Sequence, residues 1–206
     1  MEILSIDIGG SGIKVATLVL DGRTSKIRAR HRFDLPENVD NLERYIFRRL
    51  ASLYSDQVLR AFPIAVSAVG FIDSDSGICR FSTRNKWKKR PMRANLQKCF
   101  SNESVFLMND VESHLFAHAD SHEHSILTIA IGTSAGLAFT DYQGGIVQLR
   151  KGWQTEFGAI RMKPTEPPEH GEVWWRLGSY GHAELLKRYG TREEAGKHFG
   201  YRLGFF

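Results

Sequence analysis

Two stretches of this chain share one layout, and that layout limits its fold more than any other feature. In each, an apolar β-type run enters a glycine-rich turn, and a second β-type run leaves it at once. The first stretch is Glu2-Ile3-Leu4-Ser5-Ile6-Asp7-Ile8, then Gly9-Gly10-Ser11-Gly12, then Ile13-Lys14-Val15-Ala16-Thr17-Leu18-Val19-Leu20. The second is Ser125 to Ile131, then Gly132-Thr133-Ser134-Ala135-Gly136, then Leu137 to Phe139. A further turn follows in both, at Asp21-Gly22 and at Asp141 to Gly145. Each leads to a third strand, about Lys26 to Phe33 and Ile146 to Leu149. The run after each glycine turn is too short and too β-branched for a helix. The glycines therefore belong to hairpins, not to the strand–loop–helix setting of a Walker or Rossmann loop.

The chemistry of such a turn can be stated. Successive backbone N–H groups in a tight turn make a concave anion site. Glycine admits a close ligand approach and positive φ. Ser11 adds a hydroxyl donor and Lys14 a positive charge. Asp7, at the strand end, is suited to hold a hydrated Mg²⁺, which prefers one or two carboxylates plus phosphate oxygens. One such hairpin with a surface lysine has an ordinary structural explanation. Two at matching topology point to phosphate binding.

Composition closes off other classes. With 42% hydrophobic and 25% charged residues, the chain has the balance of a soluble globular protein. No apolar run approaches the ~20 residues that span a bilayer, so no membrane association is expected. The Asp7 strand starts at residue 2, so no signal peptide is expected. Cys79 and Cys99 lack metal-ligand spacing, and two free thiols suit a reducing cytoplasm, the expected location. A net charge of +5 favours anionic partners.

Between the hairpins, Pro36 ends the third strand. Asp40 with Glu43 reads as an N-cap pair. Leu42, Ile46, Leu50 and Leu53 recur at helical spacing, giving a helix of about Asp40 to Tyr54. Ala61 to Ile72 reads as one buried strand running into Gly70, and Asp73 to Gly77 as a turn. Arg84 to Arg93 holds six basic residues and one tryptophan in ten positions. That segment is either a solvated loop or an attractor for a polyanionic donor. Ala94 to Phe100 reads as a helix, Ser104 to Met108 as a strand closed by Asn109-Asp110, and Val111 to Ala119 as a helix. Asp110 either caps that helix or is a working carboxylate. His114 and His118 have a zinc-compatible spacing. No third ligand follows in a known pattern, so with His122 and His124 they read as surface residues. Glu172 to Gly178 and Ala183 to Tyr189 read as helices, and Thr191 with Glu194 as a capping box for a last one. Leu203, Phe205 and Phe206 leave apolar surface that needs a partner.

Four motifs in order resemble one family. Asp7-Ile-Gly-Gly-Ser-Gly-Ile-Lys14 resembles the first phosphate motif of the actin/hexokinase/Hsp70 superfamily. Asn109-Asp110, Gly132-Thr133-Ser134-Ala135-Gly136 and Thr155-Glu156-Phe157-Gly158-Ala159 complete a pattern similar to the ROK family of bacterial sugar kinases and sugar-responsive repressors. The opening motif is especially close to the polyphosphate/ATP glucokinases of that family. The resemblance implies a two-lobed actin-like ATPase (ribonuclease H-like) α/β fold with mixed sheets. Residues 1–120 would form the N-terminal lobe and 121–206 a partial, incomplete C-terminal lobe. It implies a hexose as substrate, ATP or polyphosphate as phosphoryl donor, Mg²⁺ as cofactor, and a homodimer.

Roles follow by matching positions. Asp110 matches the catalytic base. Asn109, Asp110 and Glu156 match sugar ligands, and Asn85 a further one. Gly9, Gly10, Ser11, Lys14, Gly132 and Thr133 match donor-phosphate contacts, and Asp7 the metal-side acid, acting through water. For Glu156, the bland alternative is a solvated loop acid.

The chain also departs from the family pattern. Ala159 replaces the histidine of the family's Glu-x-Gly-His, and Pro164 to Gly171 holds no cysteine where a zinc loop is expected. No zinc is therefore expected. Ser134 replaces a usual glycine. The family would continue past Phe206 with a strand, an adenine-cradling Gly-Gly turn and a final helix. These departures motivate a second reading, a catalytically impaired sugar-binding or regulatory protein. DNA binding is not expected, because the repressors carry a helix-turn-helix ahead of the first motif and only six residues precede Asp7.

Overall fold

The computed structural model describes residues 1–10, 12–21, 24–36, 40–82, 85–118, 125–131, 135–148, 154, 187, 190, 191, 193 and 194. Two compact units emerge. Unit 1 comprises Met1–Ser113 with Gln148–Gln154, and unit 2 comprises His114–Val147 with Thr155–Phe206.

Unit 1 is built on a five-stranded mixed sheet. Its strands are β1 (Glu2–Ile8), β2 (Ile13–Asp21), β3 (Thr24–Phe33), β4 (Ile64–Ala68) and, after an excursion, β8 (Val105–Asn109). The order across the sheet is β3-β2-β1-β4-β8. The first three strands are antiparallel neighbours, while β4 runs parallel to both β1 and β8. Alternation sets the faces. Leu4, Ile6 and Ile8 of β1 and Ile13 and Val15 of β2 point into one core, with Val66, Ala68, Val105 and Leu107. Each large apolar side chain buried there contributes on the order of 1.5–3 kcal/mol.

Helix α1 (Leu42–Ala51) and helix α3 (Met92–Phe100) add Leu42, Ile46, Leu50, Met92, Leu96 and Phe100 to that core. The expected helix of Asp40 to Tyr54 is thus shorter. A separate helix, α2 (Asp56–Ala61), follows it, capped by Ser55, whose Oγ accepts from the Val58 N–H at 3.4 Å. The expected Asp40–Glu43 cap pair does not form. Asn41 occupies the N-cap without a side-chain bond. Glu43 instead turns inward, 3% exposed, and accepts from Arg90 Nε at 2.8 Å. Satisfying a buried charge outweighs a surface cap worth about 1 kcal/mol.

Two further strand expectations need correction. The first concerns β3, where simple alternation would place Ile27 on one face with Ala29, His31 and Phe33. The pairing slips between Thr17 and Leu18, which oppose Ala29 and Ile27 and leave Arg28 as the extra residue. A bulge of one residue swaps faces, and Ile27 is 47% exposed. The second concerns the single strand of Ala61 to Ile72. It breaks at Gly70, and Phe71–Asp73 becomes β5 of a separate antiparallel sheet with β6 (Ile78–Ser82) and β7 (Trp87–Arg90). The Arg84–Arg93 segment is therefore not simply a basic loop. Trp87 is buried in β7, and Arg90 is tied to Glu43. Arg93 donates to the carbonyls of Ser74 and Asp75.

In unit 2, β9 (Leu127–Ile131) and β10 (Ala135–Phe139) form an antiparallel pair with Ile131 opposite Ala135. Beyond it, the anticipated third strand contributes one bridge, Thr140 to Ile146, and a Val147 N–H bond to the Phe139 carbonyl at 3.0 Å. The carboxylate of Asp141 closes the intervening turn by accepting from the N–H groups of Gln143 and Gly145, both at 2.8 Å. Thr191 and Glu194 make the expected capping contact, Glu194 N–H to Thr191 Oγ1 at 3.2 Å. The expected helices at Glu172 to Gly178 and Ala183 to Tyr189 lie largely outside the described residues. Among the described residues no helix is long and apolar enough to cross a membrane.

Candidate functional site at the carboxyl ends of the parallel strands

Strands β1, β4 and β8 run parallel and end side by side. Ligands of open α/β sheets bind beyond such carboxyl ends. The register brings candidate residues there in rows: Asp7 opposite Ser67, and Ala68 opposite Asn109. Asp7 and Asn109 are thus separated by two strand spacings, roughly 10 Å.

Asp7 holds two partners. Its Oδ1 accepts from the Ser67 hydroxyl at 2.7 Å, and its Oδ2 meets Lys14 Nζ at 3.0 Å. Lys14 sits directly across the hairpin from Asp7. Its side chain is 68% exposed and that of Asp7 33%, so the pair is solvated and adds little stability. The intervening turn is closed by the Gly9 N–H, which donates to the Gly12 carbonyl at 3.0 Å. Neither Gly9 nor Gly12 takes a left-handed φ. A Cβ on Gly12 would lie 3.0 Å from the Phe33 carbonyl oxygen, so the close approach of β3 leaves little room for a side chain there. Gly10 is half-buried in the same turn.

Asn109 ends β8, and Asp110 begins helix α4 (Asp110–His118). Asn109, 4% exposed, is the cap of that helix. Its Oδ1 accepts from the Val111 N–H at 2.9 Å and the Glu112 N–H at 3.1 Å, while its Nδ2 donates to the Gly70 carbonyl at 2.9 Å. Asp110 is left half-buried in the first turn, where a negative charge is favoured. One of its oxygens accepts from the Val111 N–H at 3.1 Å.

Gly70 brings in the third element. Its φ is +120°, and a Cβ there would lie 2.7 Å from the Phe81 carbonyl oxygen and 2.8 Å from Ser82 Cβ. Only glycine lets β6 come so close. The hairpin connection that follows Ser82 carries Asn85, whose N–H donates to Ser82 Oγ at 3.4 Å. Asn85 is 2% exposed, and neither its Oδ1 nor its Nδ2 has a partner among the described residues. The indole N–H of Trp87, two residues on, is likewise buried and without a partner among the described residues. An unpaired buried amide costs about 1–3 kcal/mol and calls for an explanation such as a ligand.

Behind Asp110 lies a buried acid. Glu112, 2% exposed, accepts from Gln148 Nε2 at 2.7 Å and from Gln154 Nε2 at 3.2 Å to each oxygen. Burial pushes its carboxyl above the usual range. Bonds from Gln148 and Gln154 offset this in part, and the Asp110 charge adds to the rise. Gln154 also grips Ile72, accepting its N–H at 2.8 Å and donating to its carbonyl at 2.7 Å.

Unit 1 therefore gathers Asp7, Gly9, Gly10, Lys14, Asn85, Asn109 and Asp110. Ser11, Gly132, Thr133 and Glu156 lie outside the described residues. Ser67, Gly70, Glu112 and Gln154 were not anticipated. Gly70 alone left a signal, as a glycine inside an apolar run.

A mixed sheet in this order, with a carboxylate near the ends of two parallel strands, belongs to the actin-like α/β class. The ROK family model matches residues 3–172, and the chain belongs to the ROK family. Solved structures agree in fold. A ROK family glucokinase from Streptomyces griseus, in complex with glucose and AMPPNP, aligns over 98% of this chain at 17% identity and a TM-score of 0.74. A ROK family transcriptional regulator, a homologue of the E. coli MLC protein, aligns over 95% at 19% identity and a TM-score of 0.73. An inorganic polyphosphate/ATP-glucomannokinase from Arthrobacter sp. strain KM aligns over 97% at 19% identity and a TM-score of 0.68. The chain spans 64%, 50% and 79% of these structures' own lengths, respectively. No curated protein sequence matches it significantly.

Proposed function

We propose that the chain carries the catalytic end of a ROK-type sugar kinase, which moves a phosphoryl group from ATP or polyphosphate to a hexose hydroxyl in the manner of a glucokinase. The observation that carries this reading is the convergence of Asp7, Asn85 and Asn109–Asp110 at one end of the unit 1 sheet.

In this reading Asp110 takes the proton from the sugar hydroxyl. The hydroxyl oxygen forms a bond to the terminal phosphorus as the bridging P–O bond breaks, leaving ADP or a polyphosphate shortened by one unit. Such transfer depends on positioning and charge stabilisation more than on covalent help from the protein. The unpaired amide of Asn85 supplies both a donor and an acceptor for a sugar hydroxyl. Asn109 and Glu156 serve as further sugar ligands. Gly9, Gly10, Ser11, Lys14, Gly132 and Thr133 contact the donor phosphates. Asp7, partly exposed and held by Ser67, fits a hydrated Mg²⁺. When bound, that ion would neutralise charge on the donor phosphates. Lys14 would then be released from Asp7 toward the same phosphates.

A coupled assay over a hexose panel, with ATP and separately with polyphosphate, tests the reading. Turnover with at least one pair is expected, and Asp110→Asn should lower the rate by about 10²–10⁴. An unchanged rate in that variant removes Asp110 as the base.

A second reading is a sugar-binding or regulatory ROK protein with an impaired donor site. The ion pair that already engages Asp7, together with Ser134 and Ala159 in the sequence, favours it. Calorimetry showing hexose binding without nucleotide binding or turnover would select it over the kinase.

A further inference from the structure

We propose that Glu112 is a positioning residue for the sugar site: it fastens Gln154 to the backbone of Ile72 and so holds the bend after Gly70, whose carbonyl binds Asn109. The inference rests on the kinase reading in giving Asn109 and Asp110 sugar contacts.

A carboxylate buried on the inner side of α4 is costly unless its oxygens are matched. Here they are matched by two glutamine amides, 36 and 42 positions away in sequence. The Gln154 amide is used at both ends. Its Oε1 takes the Ile72 N–H, while its Nε2 serves the Ile72 carbonyl and both Glu112 oxygens. A single side chain thus stands in for a neighbouring strand along β5. The bonds to Ile72 need an amide, and the bonds to Glu112 fix which way that amide faces.

The placement of the clamp argues for a role in the site rather than in bulk stability. Glu112 lies two positions after Asp110 in the first turn of α4. Ile72 lies two positions after Gly70, whose carbonyl binds Asn109. The clamp therefore ties the start of α4 to the bend after Gly70, each within two residues of a proposed sugar-site residue or of its anchor. A fully matched buried polar network specifies one geometry where an apolar contact would tolerate several.

The test uses the full chain with Glu112→Ala, Glu112→Gln and Gln154→Ala. Two readouts are taken: exchange of the Ile72 amide proton, and the hexose KM and kcat with glucose as probe. Glu112→Ala should speed Ile72 exchange about tenfold and raise KM about tenfold, with kcat held within about threefold. Glu112→Gln, whose amide oxygen can still accept from both glutamines, should recover part of each change. Gln154→Ala should match or exceed Glu112→Ala, and with Glu112→Gln it carries the test should Glu112→Ala not fold. Unchanged Ile72 exchange, an unchanged KM, or an equal fall in kcat and kcat/KM would overturn the proposal. A wild-type chain that neither binds nor phosphorylates a hexose would overturn the kinase reading itself, and the clamp would then stand or fall on Ile72 exchange alone.

Discussion

Asn109 donates to the carbonyl of Gly70 at 2.9 Å, and this one bond joins the end of β8 to the bend that follows β4. The same side chain caps α4 through Oδ1. Replacing Asn109 by Ala would remove the cap, worth about 0.5–2 kcal/mol. It would also strand a buried carbonyl, worth about 1–3 kcal/mol. We expect Asn109→Ala to lose roughly 2–4 kcal/mol in urea denaturation. A loss below about 0.5 kcal/mol would mean that water replaces both contacts.

Gly70 should tolerate no side chain. Alanine there would have to hold φ near +120° with its Cβ 2.7 Å from the Phe81 carbonyl oxygen. The backbone strain costs on the order of 1–3 kcal/mol and the overpacking about as much again. Relief would come by pushing β6 away, which carries the Asn85 connection with it. Gly70→Ala is therefore expected to weaken hexose binding as well as stability. Calorimetry alongside denaturation separates the two effects.

Much of the sheet was legible because its signals are local. Leu4, Ile6 and Ile8 alternate with polar or half-buried neighbours, and the glycine turn between Ile8 and Ile13 marks a hairpin. Asn109-Asp110 after an apolar run marks a strand giving way to a helix, because asparagine both ends strands and caps helices. The illegible features depend on partners far along the chain. Gly70 shows as a glycine in an apolar run, but nothing local says that β6 presses against it there. Glu43 looked like part of a cap because Arg90, its actual partner, lies 47 positions away. Gln154 gave no sign of pairing with Ile72, 82 positions away. In β3, simple alternation puts Ala29, His31 and Phe33 on one half-buried face, but periodicity cannot foresee the bulge at Arg28 that turns Ile27 out.

The Glu43–Arg90 pair offers a quantitative check on what holds β7 to α1. Their side chains are 4% and 13% exposed, and Arg90 also donates to the Asp40 carbonyl at 2.9 Å. Removing one member of a buried pair leaves the other charge unmatched, at a cost of about 3–5 kcal/mol. We expect Arg90→Met to lose about that much. The double change Arg90→Met with Glu43→Leu should recover most of it, since a packed apolar pair replaces a buried ionic one at little net cost. Arg90 also lies over the Trp87 ring, 5.5 Å from its centroid, and a double variant no more stable than Arg90→Met would show that this contact and the bond to Asp40 matter more than the charges.

Glu112 makes the stability of unit 1 fall with rising pH over a defined window. Its folded-state carboxyl lies above the ordinary value, chiefly through burial. A raised acid holds its proton more tightly in the native state than in the unfolded chain. Between the unfolded value, near about 4.3, and the folded value, the native state therefore carries more protons. Stability then decreases as pH rises, and above the folded value the loss is complete. Glu112→Gln cannot titrate and should not show this fall. Urea unfolding of both forms from about pH 4 to pH 7 gives the comparison, and other groups cancel in the difference. The variant should gain on the wild type as pH rises through the window. A difference that stays flat would mean that Gln148 and Gln154 hold the carboxylate as well as water does, and that Glu112 sits in the fold at no electrostatic cost.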